Sequence, residues 1–138
     1  MKNKKTPATN IPVSQQKPLT RNSKIFKTII DAIFNKKGTD IVSLDFKDNP
    51  DFYTQFLIIC SADNLMQIKA IAEEIEKETK ENVKERPFRK EISKQPQWVI
   101  LDYVNIIIHI MHPEVRNYYN LELMWNDIKR IEHNPKLI

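Results

Sequence analysis

The residues whose types could carry chemistry are few and poorly grouped. His109, His112 and His133 are the only histidines of the 138-residue chain, and Cys60 is its only cysteine. A metal site needs several such ligands converging on one point. His109 and His112 lie three apart at the end of an apolar run read as a strand, where positions i and i+3 point to opposite faces. Asp102 lies nearby, and a structural or surface role for the two rings outweighs metal binding. A cysteine–histidine nucleophile pair needs a thiolate stabilised by a neighbouring charge. Cys60 ends an apolar run, the setting of an inert, buried thiol. Asp40, Asp45, Asp48 and Asp51 form a carboxylate series. Two-metal nucleotidyl transfer calls for two acids one residue apart on a strand, facing one side, beside a glycine–serine turn. No Asp-x-Asp occurs, and Gly38 is the only glycine. Phosphate loops and dinucleotide fingerprints need several glycines for close backbone approach. No cofactor and no metal are therefore expected.

What stands out is residues 97–126. Both tryptophans and three of the four tyrosines fall there, with Asp102, His109, His112, Arg116 and Glu122 among them. Trp and Tyr beside Arg is the composition of protein-interface centres. The same rings could stack on RNA bases, but RNA platforms usually add clustered lysines. Across residues 99–126 the only basic side chain beyond histidine is Arg116. Arg116 can pair with Asp102 or Glu122 and hold a helix to a hairpin, or it can face a partner.

The elements that position these residues can be read in order. Residues 1–21 hold three prolines and little to bury. They are read as a disordered basic tail whose deletion leaves melting nearly unchanged. Asn22 or Ser23 caps a helix to about residue 37, with Ile25, Phe26, Ile29, Ile30, Ile33 and Phe34 on one face. Residues 40–46 and 52–60 are predicted strands. Ser61 is the predicted cap of a long helix over 63–81, with Leu65, Ile68, Ile71, Ala72 and Ile75 as its buried stripe. A weak strand over 83–88 and a polar loop over 89–96 follow. Residues 97–111 form a hairpin with Asn105 in a left-handed turn. Pro113 opens a short helix to Tyr119. A last helix over 121–131 carries Leu121, Met124, Trp125 and Ile128 on its apolar face, and residues 133–138 are frayed. The pattern predicts one α+β domain over 22–132, a single mixed sheet of about five strands flanked by helices.

The formal charge of +4 is uneven: residues 1–24 carry +6 and the remainder −2. The basic tail either adds sequence-independent attraction to RNA or simply solubilises the chain. A single cysteine points to a reducing compartment. No apolar run approaches the ~18 residues of a membrane span, and no secretory signal opens the chain. The expected location is the cytoplasm, with no membrane partner.

Trp98-Val99-Ile100-Leu101-Asp102-Tyr103, Asn105, Ile107-Ile108-His109-Ile110-Met111, Glu114-Val115-Arg116, Tyr119, Leu121-Glu122 and Trp125 together resemble the signature of the ribosomal silencing factor family, also called the Iojap family. Lys37-Gly38, Asp40-Ile41-Val42 and Leu44-Asp45 are similar to its first-strand motif. Phe56-Leu57-Ile58-Ile59-Cys60-Ser61, followed by Gln67-Ile68 and Ala70-Ile71-Ala72, is similar to its second. The likeness spans about residues 25–131. The chain departs from the family at three turns. Ser61-Ala62 stands where a glycine is common, Val104-Asn105 replaces Gly-Asp in the hairpin, and Lys90-Glu91 precedes the Trp strand without a glycine.

The resemblance implies a nucleotidyltransferase-like fold that has lost catalysis. It implies binding to the large ribosomal subunit through its fourteenth protein, which sterically blocks joining of the small subunit and represses translation under nutrient limitation. By position, the partner-binding residues would be Trp98, Asp102, Tyr103, His109, Arg116 and Tyr119, with Trp98, Tyr103 and Tyr119 converging on one side of the sheet. Contact of the tail with ribosomal RNA and a homodimer off the ribosome would be further associations. The competing reading is a nucleotidyltransferase-like enzyme or an RNA-binding accessory module.

Overall fold

A computed structural model describes residues 12, 13, 16–93 and 97–133. Its elements are α1 (Lys24–Asn35), β1 (Thr39–Asp45), β2 (Phe56–Ser61), α2 (Leu65–Val83), β3 (Arg89–Ile92), β4 (Trp98–Asp102), β5 (Ile106–Met111), α3 (Pro113–Tyr119), α4 (Leu121–Met124) and β6 (Lys129–His133). They form an α+β domain around one mixed sheet of six strands, ordered β3-β4-β5-β2-β1-β6. The central β2 and β5 run parallel, Phe56 opposite Ile106 through Ser61 opposite Met111. Every other pairing is antiparallel. A parallel pair needs a crossover, which α2, β3 and β4 supply.

Alternation along the strands splits the core in two. On one face Ile41, Phe56, Ile58, Cys60, Val99, Leu101, Ile106, Ile108 and Ile110 pack under α1 and α2. Helix α1 buries Ile25, Phe26, Ile29 and Ile33, and α2 buries Ile68, Ile71, Ala72 and Ile75, as their spacing predicts. Each of these isoleucines, and Phe26, contributes roughly 1.5–3 kcal/mol on burial. On the other face Val42, Leu44, Phe46, Leu57, Ile59, Ile107 and Met111 meet Leu121, Phe52, Trp125 and Ile128.

Several boundaries differ from expectation. The cap of α2 is Asn64, whose Oδ1 accepts from the Gln67 N–H at 2.9 Å, while Gln67 Oε1 accepts from the Asp63 N–H. Ser61 is taken up elsewhere, accepting a hydrogen bond from Arg116. Helix α2 runs on to Val83 and ends at Lys84 in a left-handed conformation. The strand expected over 83–88 is therefore displaced to Arg89–Ile92, inside the expected loop, of which residues 94–96 lie outside the described residues. The largest correction is at the C-terminal end. The helix expected over 121–131 stops at Met124, and Lys129–His133 is a sixth strand paired with β1. Helical spacing over one short segment is a weak signal, and the open edge of β1 offers a full ladder instead. His133 is therefore part of the sheet, its Nε2 2.8 Å from Ser43 Oγ, while residues 134–138 lie outside the described residues.

The hairpin turn also differs. The left-handed residue is Val104 (φ 75°), not Asn105. Asp102 Oδ1 accepts from the Val104 N–H at 2.8 Å, and the Asn105 N–H reaches the Tyr103 carbonyl at 2.9 Å. This tight turn forces the positive φ onto a β-branched residue, which costs of order 1–3 kcal/mol. Val104→Gly, the residue of the family pattern, removes that strain and reintroduces chain entropy. The expected net gain is about 1 kcal/mol. Thermal melting of the variant checks it: the midpoint should rise by a few degrees, and a fall contradicts the strain.

Candidate functional site

The strands β3, β4 and β5 present Arg89, Glu91, Trp98, Ile100, Asp102, Ile107 and His109 to the face opposite α1 and α2, because all occupy alternate positions in one register. Trp98 Nε1 donates to His109 Nδ1 at 3.0 Å, which places the single proton of a neutral imidazole on Nε2. Burial pushes the His109 pKa down to about 4, so the ring is neutral at physiological pH. Tyr119, at the end of α3, lies 4.9 Å from Trp98 between ring centroids, and Tyr118 stands edge-on to Tyr119 at 5.0 Å. Tyr53 enters from the loop before β2. Together with Arg89, Glu91, Ile100, Asp102, Ile107 and His109 it lines a hollow of about 400 Å³. Burial raises the Asp102 pKa, and burial followed by the Asp102 charge raises that of Tyr53.

Beyond the strand ends lies a second cleft that includes Asp40, Ser61, Arg116, Asn117, Glu122 and Arg130. Its centre is an ionic lock. Arg116, 8% exposed, donates through Nε and Nη2 to the two Glu122 oxygens at 3.2 and 2.8 Å. Its Nη1 donates to the Asp40 carbonyl at 2.7 Å and to Ser61 Oγ at 2.8 Å. Burial opposes the Glu122 charge, but Arg116 and Arg130 outweigh it and hold that pKa below the usual range. The guanidinium ties α3 and α4 to the ends of β1 and β2, so of the open alternatives for Arg116 it is the Glu122 pairing that forms. His112 is the N-cap of α3, its Nδ1 accepting from the Glu114 N–H at 3.1 Å, and is not drawn to His109. Cys60 is fully buried, and burial pushes its thiol up to about 12.

Known proteins bear on this geometry. The sequence model described as ribosomal silencing factor during starvation matches residues 20–137. The chain belongs to the ribosomal silencing factor family. A protein named ribosomal silencing factor in Halalkalibacterium halodurans is 32% identical over 111 residues, covering 80% of this chain and 93% of that one. Its counterpart in Bacillus subtilis is 32% identical over 106 residues, covering 75% and 86%. The crystal structure of a Chromobacterium violaceum protein superposes with a TM-score of 0.69 at 29% identity, covering 82% of this chain and 88% of that one.

Within this family domain the structure brings together Trp98, Asp102, His109 and Tyr119 on one side. It does not bring Tyr103 there. Tyr103 is 4% exposed on the helix-covered face, its hydroxyl 2.8 Å from Thr79 Oγ1 of α2. Period-two alternation from Trp98 carries the reason: 98, 100 and 102 share a side and 103 is opposite. The same alternation could have found Ile100, which sits across from His109. Tyr53 carried no local signal, because a loop fold delivers it. Among the described residues no helix is long and apolar enough to cross a membrane.

The His109 environment has a signed consequence. Its folded pKa lies below the unfolded value, so the unfolded chain binds a proton that the folded one excludes as pH falls below about 6.5. Stability from this group is complete above that pH and is lost toward about 4. Between about pH 6 and 5 the wild type should lose roughly 1 kcal/mol per pH unit more than His109→Gln does. Denaturant titrations of both proteins across that window check it; parallel slopes contradict it.

Proposed function

We propose that this chain binds the large ribosomal subunit through its fourteenth protein and blocks joining of the small subunit, repressing translation. Family membership supports the ribosomal target. The single observation that carries the docking face is the aromatic cluster Trp98–His109–Tyr119 on the side of the sheet that no long helix covers. Tyr119 is 53% exposed and Tyr118 82% exposed, and with the partly buried Trp98 they offer broad rings for little loss of side-chain entropy. His109 is neutral, so covering it removes no charge from water. Arg89 and Glu91 form a charged rim. The proposed action is occupation of a surface, without bond making. Contact of the basic tail with ribosomal RNA would add a salt-dependent increment. Off the ribosome the chain would pair with a second copy.

The test is co-sedimentation with purified subunits. The chain should travel with the large subunit alone and deplete the joined particle. Tyr119→Ala and Trp98→Ala should each weaken binding by about 2 kcal/mol, roughly thirtyfold. Tyr103→Phe removes a buried hydrogen bond, about 1 kcal/mol of stability, and should leave binding unchanged. Normal binding by Tyr119→Ala, or loss of binding by Tyr103→Phe in a folded protein, would overturn the assignment of this face. A nucleoside triphosphate titrated with magnesium should give no saturable heat; if it does, the nucleotidyltransferase-like reading gains.

A further inference from the structure

The family match begins at residue 20, yet described residues ahead of it are laid onto the domain. For residues 12, 13 and 16–21 this corrects the expectation that the tail has almost nothing to bury; residues 1–11 and 14–15 lie outside the described residues. Val13 is 8% exposed, and its N–H donates to the Phe52 carbonyl. Gln16 Nε2 donates to the Tyr53 carbonyl at 2.7 Å. The Gln55 side chain, 1% exposed, turns its amide to the same segment. Its Oε1 accepts from the Leu19 N–H at 2.7 Å, and its Nε2 donates to the Lys17 carbonyl at 2.6 Å. Lys47 Nζ donates to the Leu19 carbonyl at 2.7 Å.

All of these contacts fall on residues 47–55, the loop that delivers Tyr53 to the hollow beside Asp102. The loop's own ties run from Phe52 to Trp125, from the Gln55 N–H to the Asn105 carbonyl and from Asp48 to Lys129, and none of them holds Tyr53 directly. Phe52 stacks on Phe46 at 4.0 Å and Tyr53 stacks on Phe52 at 4.4 Å, so a shift of the loop moves Tyr53 with it. A buried amide that loses its partners is costly, so Gln55 favours the state in which the segment is seated. We propose that residues 12, 13 and 16–19 form a strap, latched by the buried Gln55 amide, that holds the 47–55 loop and positions Tyr53 at the rim of the recognition face. Gln55 is then a positioning residue. The last clause of the proposal rests on the docking face proposed above.

The experiment uses the full-length chain carrying Gln55→Leu or Val13→Asp. Val13 lies ahead of the family match, so that variant keeps the test open if Gln55→Leu folds poorly. Hydrogen exchange is read at the Phe46, Asn49 and Phe52 amides, which bond within this loop region, and at the β4–β5 hairpin. Both variants should speed loop exchange by about tenfold or more while the hairpin stays within about twofold. Large-subunit affinity should fall about threefold or more, and Tyr53→Ala added to Val13→Asp should weaken it no further. Replacing Lys2, Lys4 and Lys5 by Gln should leave loop exchange as in the wild type. Unchanged loop exchange in both variants overturns the strap. Faster exchange with unaltered affinity, or losses that add fully with Tyr53→Ala, overturns the positioning of Tyr53. If the wild-type chain does not bind the large subunit at all, the docking face falls, and the exchange result alone decides the strap.

Discussion

Both long helices of the domain lie on the same face of the sheet, and the rest of the architecture follows from that constraint. Strands β2 and β5 are buried almost throughout, so each face needs cover. Helices α1 and α2 supply it on one side with an isoleucine-rich layer. Among the described residues the other side has only α3, α4, the segment leading into β6 and the loop before β2. Their aromatics, Phe46, Phe52 and Trp125, pack edge-to-face and stacked over the β1 and β2 half. Among the described residues the β3–β4–β5 end has no such layer. An open sheet face bearing large aromatic rings is a surface suited to a partner.

That face keeps its shape through the ion pair buried at the strand ends. Taking the Arg116 and Glu122 charges out of water is unfavourable unless each hydrogen-bonding position is filled. Here both carboxylate oxygens and three guanidinium nitrogens have partners, including the Asp40 carbonyl and Ser61 Oγ. Asp40 itself adopts a positive φ of 49° in offering that carbonyl. The lock ties a seven-residue helix and a four-residue helix, each too short to hold its place by helical stability alone. With α3 fixed, Tyr119 reaches Trp98. The charged cluster thus helps place an aromatic side chain.

Much of this was legible before any coordinates. The 3.6-residue spacing of isoleucines marks α1 and α2, and the apolar runs split by residues 102–105 mark the β4–β5 hairpin. The long motif from Trp98 to Trp125 points to the family. What could not be read were features decided by distant pairing. Residues 129–133 carry no strand pattern of their own, and become β6 because the β1 edge accepts them. Arg89–Ile92 is fully exposed in its burial pattern, so no alternation announced it. Four of the six residues singled out for binding share the open face. The parity of Tyr103 puts it on the opposite face, against Thr79, and Arg116 is committed to the fold. The seating of Val13 and Leu19 had no signal at all, because the partner that matters, Gln55, lies in a loop.

The face without the long helices, not the one under α1 and α2, is the side proposed to meet the ribosome. Hydrogen exchange of the chain bound to purified large subunits, compared with the free chain, tests it most directly. Protection is expected in β4 and β5, around Tyr53 and at the end of α3. The exposed sides of α1 and α2 should exchange as in the free chain. Protection concentrated on α1 and α2, with the β4–β5 hairpin and Tyr119 region unchanged, would contradict the account.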